Sequence, residues 1–392
     1  MNIAIIDSEI IGKNKHRFPN LCSMKIAAYH KQNGDSVQLK TDYEGLQAFD
    51  KVYISKVFTK THVPEDVLAM PNVTYGGTGF FYDNAPPLPP EIEHIMPDYH
   101  LYDDWVNEAI FARGENRNNF KYYLDYSIGY LTRKCFRGCY YCVNRNYKKV
   151  EPASPLAEFY DPTRPKICFL DDNFLGYSKW RELIQPVIDT GRRFHFKQGL
   201  DERLLTKEKI LEIASWKYDG EVIFAFDNIE DKELITSKLQ LIRETVPEWK
   251  RQLKFYVFCG CDKNGKYDME FWENDIRNLF ERISILSRFD AKPYIMRFEK
   301  VYDSEFSTFY SSVASWCNQP HMFKTFSFRL FCKCKGMRRN GYTKYKRDVD
   351  GYLKDIGIKG SDWREMERVE TLFPDIAEQY FDLENTANEH LE

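Results

Sequence analysis

"YSIGYLTRKCFRGCYYC", residues 126–142, joins an apolar run to three cysteines. Its first seven residues, 126–132, read as a strand rich in aromatic and branched side chains. The cysteines then fall on the loop that follows. Cys135 and Cys139 have three residues between them, and Cys139 and Cys142 have two. Structural zinc closes with four ligands, and no cysteine or histidine lies near enough in sequence to be an obvious fourth. A distant ligand completing a zinc site stays open as an alternative. A 4Fe–4S cluster on three thiolates leaves one iron without a protein ligand, free to bind a substrate.

Outward from this stretch the pattern repeats. Strands are expected at 166–172 ("KICFLDD"), 194–201, 221–228, 254–261 and 292–298, with helical spacing at 178–190, 206–216, 231–246, 269–288 and 304–317. Six strand–helix units predict an open or partial barrel, a partial (β/α)6 TIM-type fold, since closure takes eight. In such folds the chemistry sits at the C-terminal ends of the strands. There the sequence puts Asp171, Asp172 and Asn173, then Gln198 and Asp201, Asp227 and Asn228, Cys259 and Cys261, and Arg297.

The first hundred residues alternate in the same way, with strands at 2–7, 36–40, 51–58 and 72–80 and helices at 19–34 and 64–70. They predict a Rossmann-like parallel sheet over residues 1–82. "DNAPPLPPEIEH" (83–94) carries four prolines and opens an expected linker, 83–121. The barrel is expected over 122–320 and a mainly helical C-terminal extension over 321–392. Within the extension, 333–347 holds seven basic residues and no acidic one, interleaved with Tyr342 and Tyr345. It is either a solvated face or a grip on nucleic acid.

The whole chain of 392 residues is 43% hydrophobic, with net charge −3 and no apolar run of membrane-spanning length. No membrane partner and no global attraction to nucleic acid follow from it. "MNIAIID" has no basic segment before it and reads as a first strand, so a cytoplasmic protein is expected. There, ten cysteines point to metal, catalysis or burial before disulfides. Cys22 falls on an apolar helix face. Cys259, Cys261, Cys317, Cys332 and Cys334 are expected to pack as small apolar residues, with a second metal site as the alternative.

"CFRGCYYC" (135–142) matches the CxxxCxxC signature of the radical S-adenosylmethionine (radical SAM) superfamily, with the usual aromatic before the last cysteine as Tyr141. The resemblance covers roughly residues 120–300. It implies an enzyme in which Cys135, Cys139 and Cys142 hold a 4Fe–4S cluster. S-Adenosylmethionine chelates the open iron and is cleaved reductively to methionine and a 5′-deoxyadenosyl radical, which attacks a substrate that the sequence does not identify. The resemblance puts Tyr141 against adenine and Asp171, Asp172 and Asn173 at the methionine amino group. Gln198, Asp201 and Asp227 are candidates for methionine or ribose contacts, and Arg203 and Arg297 for the carboxylate. A one-electron reductant of the flavodoxin or ferredoxin type is the implied partner. The alternative is a non-catalytic metalloprotein with structural zinc or an electron-transfer cluster.

The stretch 131–142 most resembles the branch with methylthiotransferases and cobalamin-dependent enzymes, though it reads "RKC" where many of those have "RGC". A single N-terminal cysteine, Cys22, argues against methylthiotransferases. The first domain resembles cobalamin-binding domains: Asp7, Glu9 and Gly12 follow DxHxxG, Ser55 and Val57 follow SxL, and Gly76-Gly77 supply the glycine pair. Glu9 departs from that pattern at the cobalt-ligating histidine, and the gap from Val57 to Gly76 is short. Cobalamin binding, with radical methyl transfer, therefore stands beside a cobalamin-type fold that has lost its cofactor.

Overall fold

The computed structural model describes residues 1–12, 18–335 and 360–383, and the basic run 333–347 lies outside them from residue 336 on. The described chain is mixed α/β, with parallel sheets and many helices. It divides into two compact units, Met1–Gln198 with Lys217–Asp219, and Gly199–Trp216 with Gly220–Glu392. No helix among the described residues is long and apolar enough to cross a membrane.

In the first unit, β1 (Asn2–Asp7), β2 (Ser36–Lys40), β3 (Lys51–Ser55) and β4 (Val73–Gly76) form a parallel sheet in the order β2-β1-β3-β4. β1 is apolar without alternation because both its faces are covered. Ile3 and Ile5 pack with Met24 and Ala27 of helix Leu21–Gln32, and Ala4 and Ile6 pack with Val52, Ile54 and Val67. Asn20 caps that helix, its side-chain oxygen accepting from the Ser23 amide at 3.1 Å. Residues 83–121 are more than a connection: Tyr99, Leu101, Tyr102, Trp105 and Phe120 join the core against Ile3 and Ile5.

The same unit holds β5 (Tyr126–Gly129), β6 (Thr132–Arg133), β7 (Glu151–Pro152), β8 (Lys166–Phe169) and β9 (Arg193–Phe196). β5, β8 and β9 are parallel in that order, with Gly129, Phe169 and Phe196 in register. Gly129 has no room for a side chain, since a Cβ there would run into the Phe159 ring. Buried Arg164 donates to the carbonyls of Tyr123 (2.7 Å) and Tyr99 (3.0 Å), tying the segment before β5 to Tyr99.

Two expectations change. The strand expected over 126–132 stops at Gly129 and resumes as β6 with a different partner, Thr132 pairing antiparallel with Pro152. The cause is that the Leu131 and Thr132 amides turn to the Asp171 carboxylate instead of a neighbouring strand. The six barrel strands also do not form one ladder. β10 (Val222–Ala225), β11 (Leu253–Cys259) and β12 (Ala291–Arg297), in the second unit, make a separate parallel sheet in that order. Beside β9 the pairing position is taken by Lys217–Asp219: the Phe194 amide donates to the Lys217 carbonyl (3.2 Å) and the Asp219 amide to the Phe194 carbonyl (2.8 Å). In the second unit Arg282 of helix Met269–Arg288 gathers strand ends, donating through Nη1 to the carbonyls of Phe226, Asp227 and Phe258, each at 2.9 Å.

Asp7 ends β1 fully buried, accepting from the Tyr102 hydroxyl (2.8 Å) and the Glu9 amide (3.1 Å). Burial pushes its carboxyl up to about 7 against those two donors. In the unfolded chain the value is about 3.9. The fold therefore favours the protonated form, and this group's contribution to stability is complete below about pH 4 and lost as pH rises through 7. Asp7→Asn keeps the shape without the charge. Urea midpoints of the two proteins should diverge in favour of the variant from pH 4 to 7, by about 4 kcal/mol at most. A constant difference across that range would mean that Asp7 is ionised in the fold.

Candidate functional site

The three cysteines lie on one loop whose two ends are pinned by the β6–β7 pair. At its start, fully buried Asp171 accepts from the Leu131 amide (3.1 Å), the Thr132 amide (2.6 Å) and the Thr132 hydroxyl (2.7 Å). Burial raises its carboxyl to about 7, opposed by those donors. Asp172 accepts from the Lys134 amide at 2.8 Å, and burial raises its carboxyl as well. Lys134 has φ 72°, a backbone state that non-glycine residues seldom adopt and that costs about 1–3 kcal/mol. Its ammonium reaches Glu151 at 2.5 Å, beside Lys149 at 2.9 Å. Those two cations hold the Glu151 carboxyl down to about 2.

All three thiols are half-buried. The Asn173 side-chain NH2 donates to Cys135 Sγ, and the Asn144 amide to Cys142 Sγ, each at 3.4 Å. The chain turns tightly here, the Cys142 amide bonding to the Cys139 carbonyl at 3.0 Å and the Arg145 amide to the Cys142 carbonyl at 3.2 Å. Gly138, at φ 64°, lets the loop reverse between the first two cysteines. Burial pushes the Cys142 thiol up to about 11. Among the described residues no three His, Cys, Asp or Glu side chains converge to hold a single ion. The three half-buried thiols, two of them accepting N–H groups, are a donor set suited to a cluster in which each thiolate takes a different iron.

The other candidate residues are divided between the two units. Tyr141, Asp171, Asp172, Asn173 and Gln198 belong to the first unit, and Asp201, Arg203, Asp227 and Arg297 to the second. Gln198 is exposed. Asp201 accepts from Arg203 at 2.9 Å, and Asp227 from the Phe258 amide at 2.9 Å. Arg297 donates to the Ser311 hydroxyl at 2.5 Å and lies over the Tyr302 ring. Cys259, Cys317, Cys332 and Cys334 are buried, and Cys261 is half-buried. Sequence reasoning passed over Thr132, Lys134 and Asn144. Asn144 lies two residues after Cys142, a local signal; the other two show their role only once Asp171 and Asp172 are located in space.

In the first sheet the cobalamin-type fingerprint is occupied by the chain itself. Glu9 Oε1 accepts from the amides of Val57 (2.9 Å) and Phe58 (3.0 Å), and Oε2 from the Thr61 hydroxyl (2.8 Å). Ser55 accepts from the Asn20 side chain at 2.8 Å. Gly77, at φ 106°, lies so close to the Lys56 carbonyl that a Cβ would overlap it, while Gly76 faces open space. A carboxylate holding three donors offers cobalt no ligand, and Gly77 is needed by the fold's own backbone.

No protein-family model and no curated protein matches the chain. Two solved structures of the cobalamin-dependent S-adenosylmethionine radical enzyme OxsB resemble it. The apo, selenomethionine-labelled form does so at 12% identity and TM-score 0.34, and the form with aqua-cobalamin and S-adenosylmethionine bound at 12% and 0.32. Each match covers 76% of this chain and 49% of that one, so the chain spans about half the length of the structures it matches. Likeness at this level lies below what establishes a common fold.

The weight on Asp171 is measurable. Asp171→Leu would leave two buried amides and a hydroxyl without an acceptor, at about 1–3 kcal/mol for each donor not rescued by water. The urea midpoint should fall accordingly, with Asp171→Asn in between because one acceptor oxygen survives. A midpoint unchanged in both would show that another group holds the loop.

Proposed function

We propose that this chain is a radical SAM enzyme. Cys135, Cys139 and Cys142 are the cluster ligands, Tyr141 faces the adenine, and Asp172 and Asn173 lie toward the methionine amino group. The observation that carries the reading is the CxxxCxxC run on the loop after β5, with N–H donors at two of its sulfurs. When bound and reduced, the cluster supplies one electron to the sulfonium of S-adenosylmethionine, releasing methionine and a 5′-deoxyadenosyl radical. The chain's own residues do the rest. Asn144 and Asn173 draw charge from the sulfurs of Cys142 and Cys135, which raises the potential of a cluster relative to bare thiolates. Both oxygens of Asp171 are engaged by the loop, so the amino-group role is assigned to its two neighbours, which themselves meet the Lys134 amide and Cys135.

In this reading the two parallel sheets of residues 122–320 are parts of one partial barrel, and the first sheet is Rossmann-like. The electron comes from a flavodoxin or ferredoxin type of partner in the cytoplasm. A nucleic-acid partner would rest on the run 333–347. No step is assigned to cobalamin.

The test is anaerobic reconstitution of the full chain. Iron and sulfide should each approach about four per chain, and dithionite with S-adenosylmethionine should release 5′-deoxyadenosine. Cys142→Ala should lose both. Zinc at one per chain, with no spectral response to S-adenosylmethionine, would end the proposal in favour of a structural metal site.

A further inference from the structure

The loop after β4 reaches the cysteine loop, and both lie within the first unit. The Tyr82 hydroxyl donates to the backbone carbonyl of Tyr141 at 2.7 Å. Asp83 Oδ2 accepts from Arg145 Nε (2.9 Å), Arg145 Nη2 (2.7 Å) and the Asn146 side chain (3.0 Å). Arg145 also turns back to donate to the Tyr140 carbonyl at 3.2 Å, and its guanidinium lies over the Tyr82 ring, 5.5 Å from the centroid. Tyr82 is held at φ 45°, outside the ordinary range of a non-glycine residue, so these contacts are made against a local preference.

The contacts converge on residues 140–146 and none of them is to a sulfur. They fix the main chain before Cys142, at Tyr140 and Tyr141, and the side chains after it, Arg145 and Asn146. A clasp of this kind is not required to bring thiols to iron. It sets where the backbone of Tyr141 stands, and an aromatic ring that meets a flat ligand depends on that placement.

We propose that Tyr82 and Asp83 are positioning residues, through which the loop after β4 holds Tyr141 against the adenine of S-adenosylmethionine. The proposal rests on the radical SAM reading. Loss of the clasp weakens binding of the cofactor and its activated form alike, which raises KM and leaves kcat in place.

Two variants test it, Tyr82→Phe, which removes one hydroxyl, and Asp83→Asn, which removes the charge that Arg145 meets. In the metal-free full chain, amide hydrogen exchange over residues 139–146 should quicken roughly tenfold in both, with β5 and β8 unchanged. After reconstitution, KM for S-adenosylmethionine in 5′-deoxyadenosine release should rise about tenfold at unchanged kcat and iron content. Wild-type exchange and KM in both variants would overturn the proposal. So would loss of iron in both, because the residues would then be supporting ligands. If the wild-type chain itself takes up no iron, the radical SAM reading fails and the adenine role fails with it, while the exchange measurement still decides whether the clasp exists.

Discussion

One buried carboxylate holds the cysteine loop in place. Asp171 follows β8 and accepts two amides and a hydroxyl from Leu131 and Thr132, just where β5 has stopped pairing. Without an acceptor there those amides would be orphaned inside the protein, and backbone groups of that kind are almost always paired. Its two neighbours continue the series. Asp172 takes the Lys134 amide and Asn173 reaches Cys135. Three consecutive residues after one strand thus meet successive points of one loop, and β7 pins the far end at Glu151. This base holds both ends of the loop on which the three thiols lie.

This arrangement explains what the sequence discloses and what it hides. The cysteine spacing, the strand before it and the polar cluster 171–173 are all visible in one dimension. The division of labour within that cluster is not. A carboxylate at a strand end looks the same whether it faces a ligand or the loop beside it, and only the position of Thr132 tells that Asp171 faces the loop. The break of β5 at Gly129 is hidden for a similar reason. Tyr130, Leu131 and Thr132 have strand-like side chains, and what ends the ladder is an acceptor forty residues further on, at Asp171. The pairing at the edge of β9 is equally non-local, made by Lys217–Asp219.

Glu9 makes the same point with the opposite outcome. Its position in the sequence resembles a place where histidine binds cobalt, and the resemblance to that fold is carried by neighbours that are present. The loop after β3 sets a different demand. The amides of Val57 and Phe58 and the hydroxyl of Thr61 all point at one place and need an acceptor. A neutral imidazole offers one acceptor nitrogen, whereas a carboxylate has two oxygens and room for all three donors. Glutamate is therefore what this loop requires, and once it is bound there its oxygens are no longer open to a metal. Beyond β1 and at the end of β3, Glu9 and Ser55 are each bonded within the chain. The loop after β4 reaches further, to the carbonyl of Tyr141.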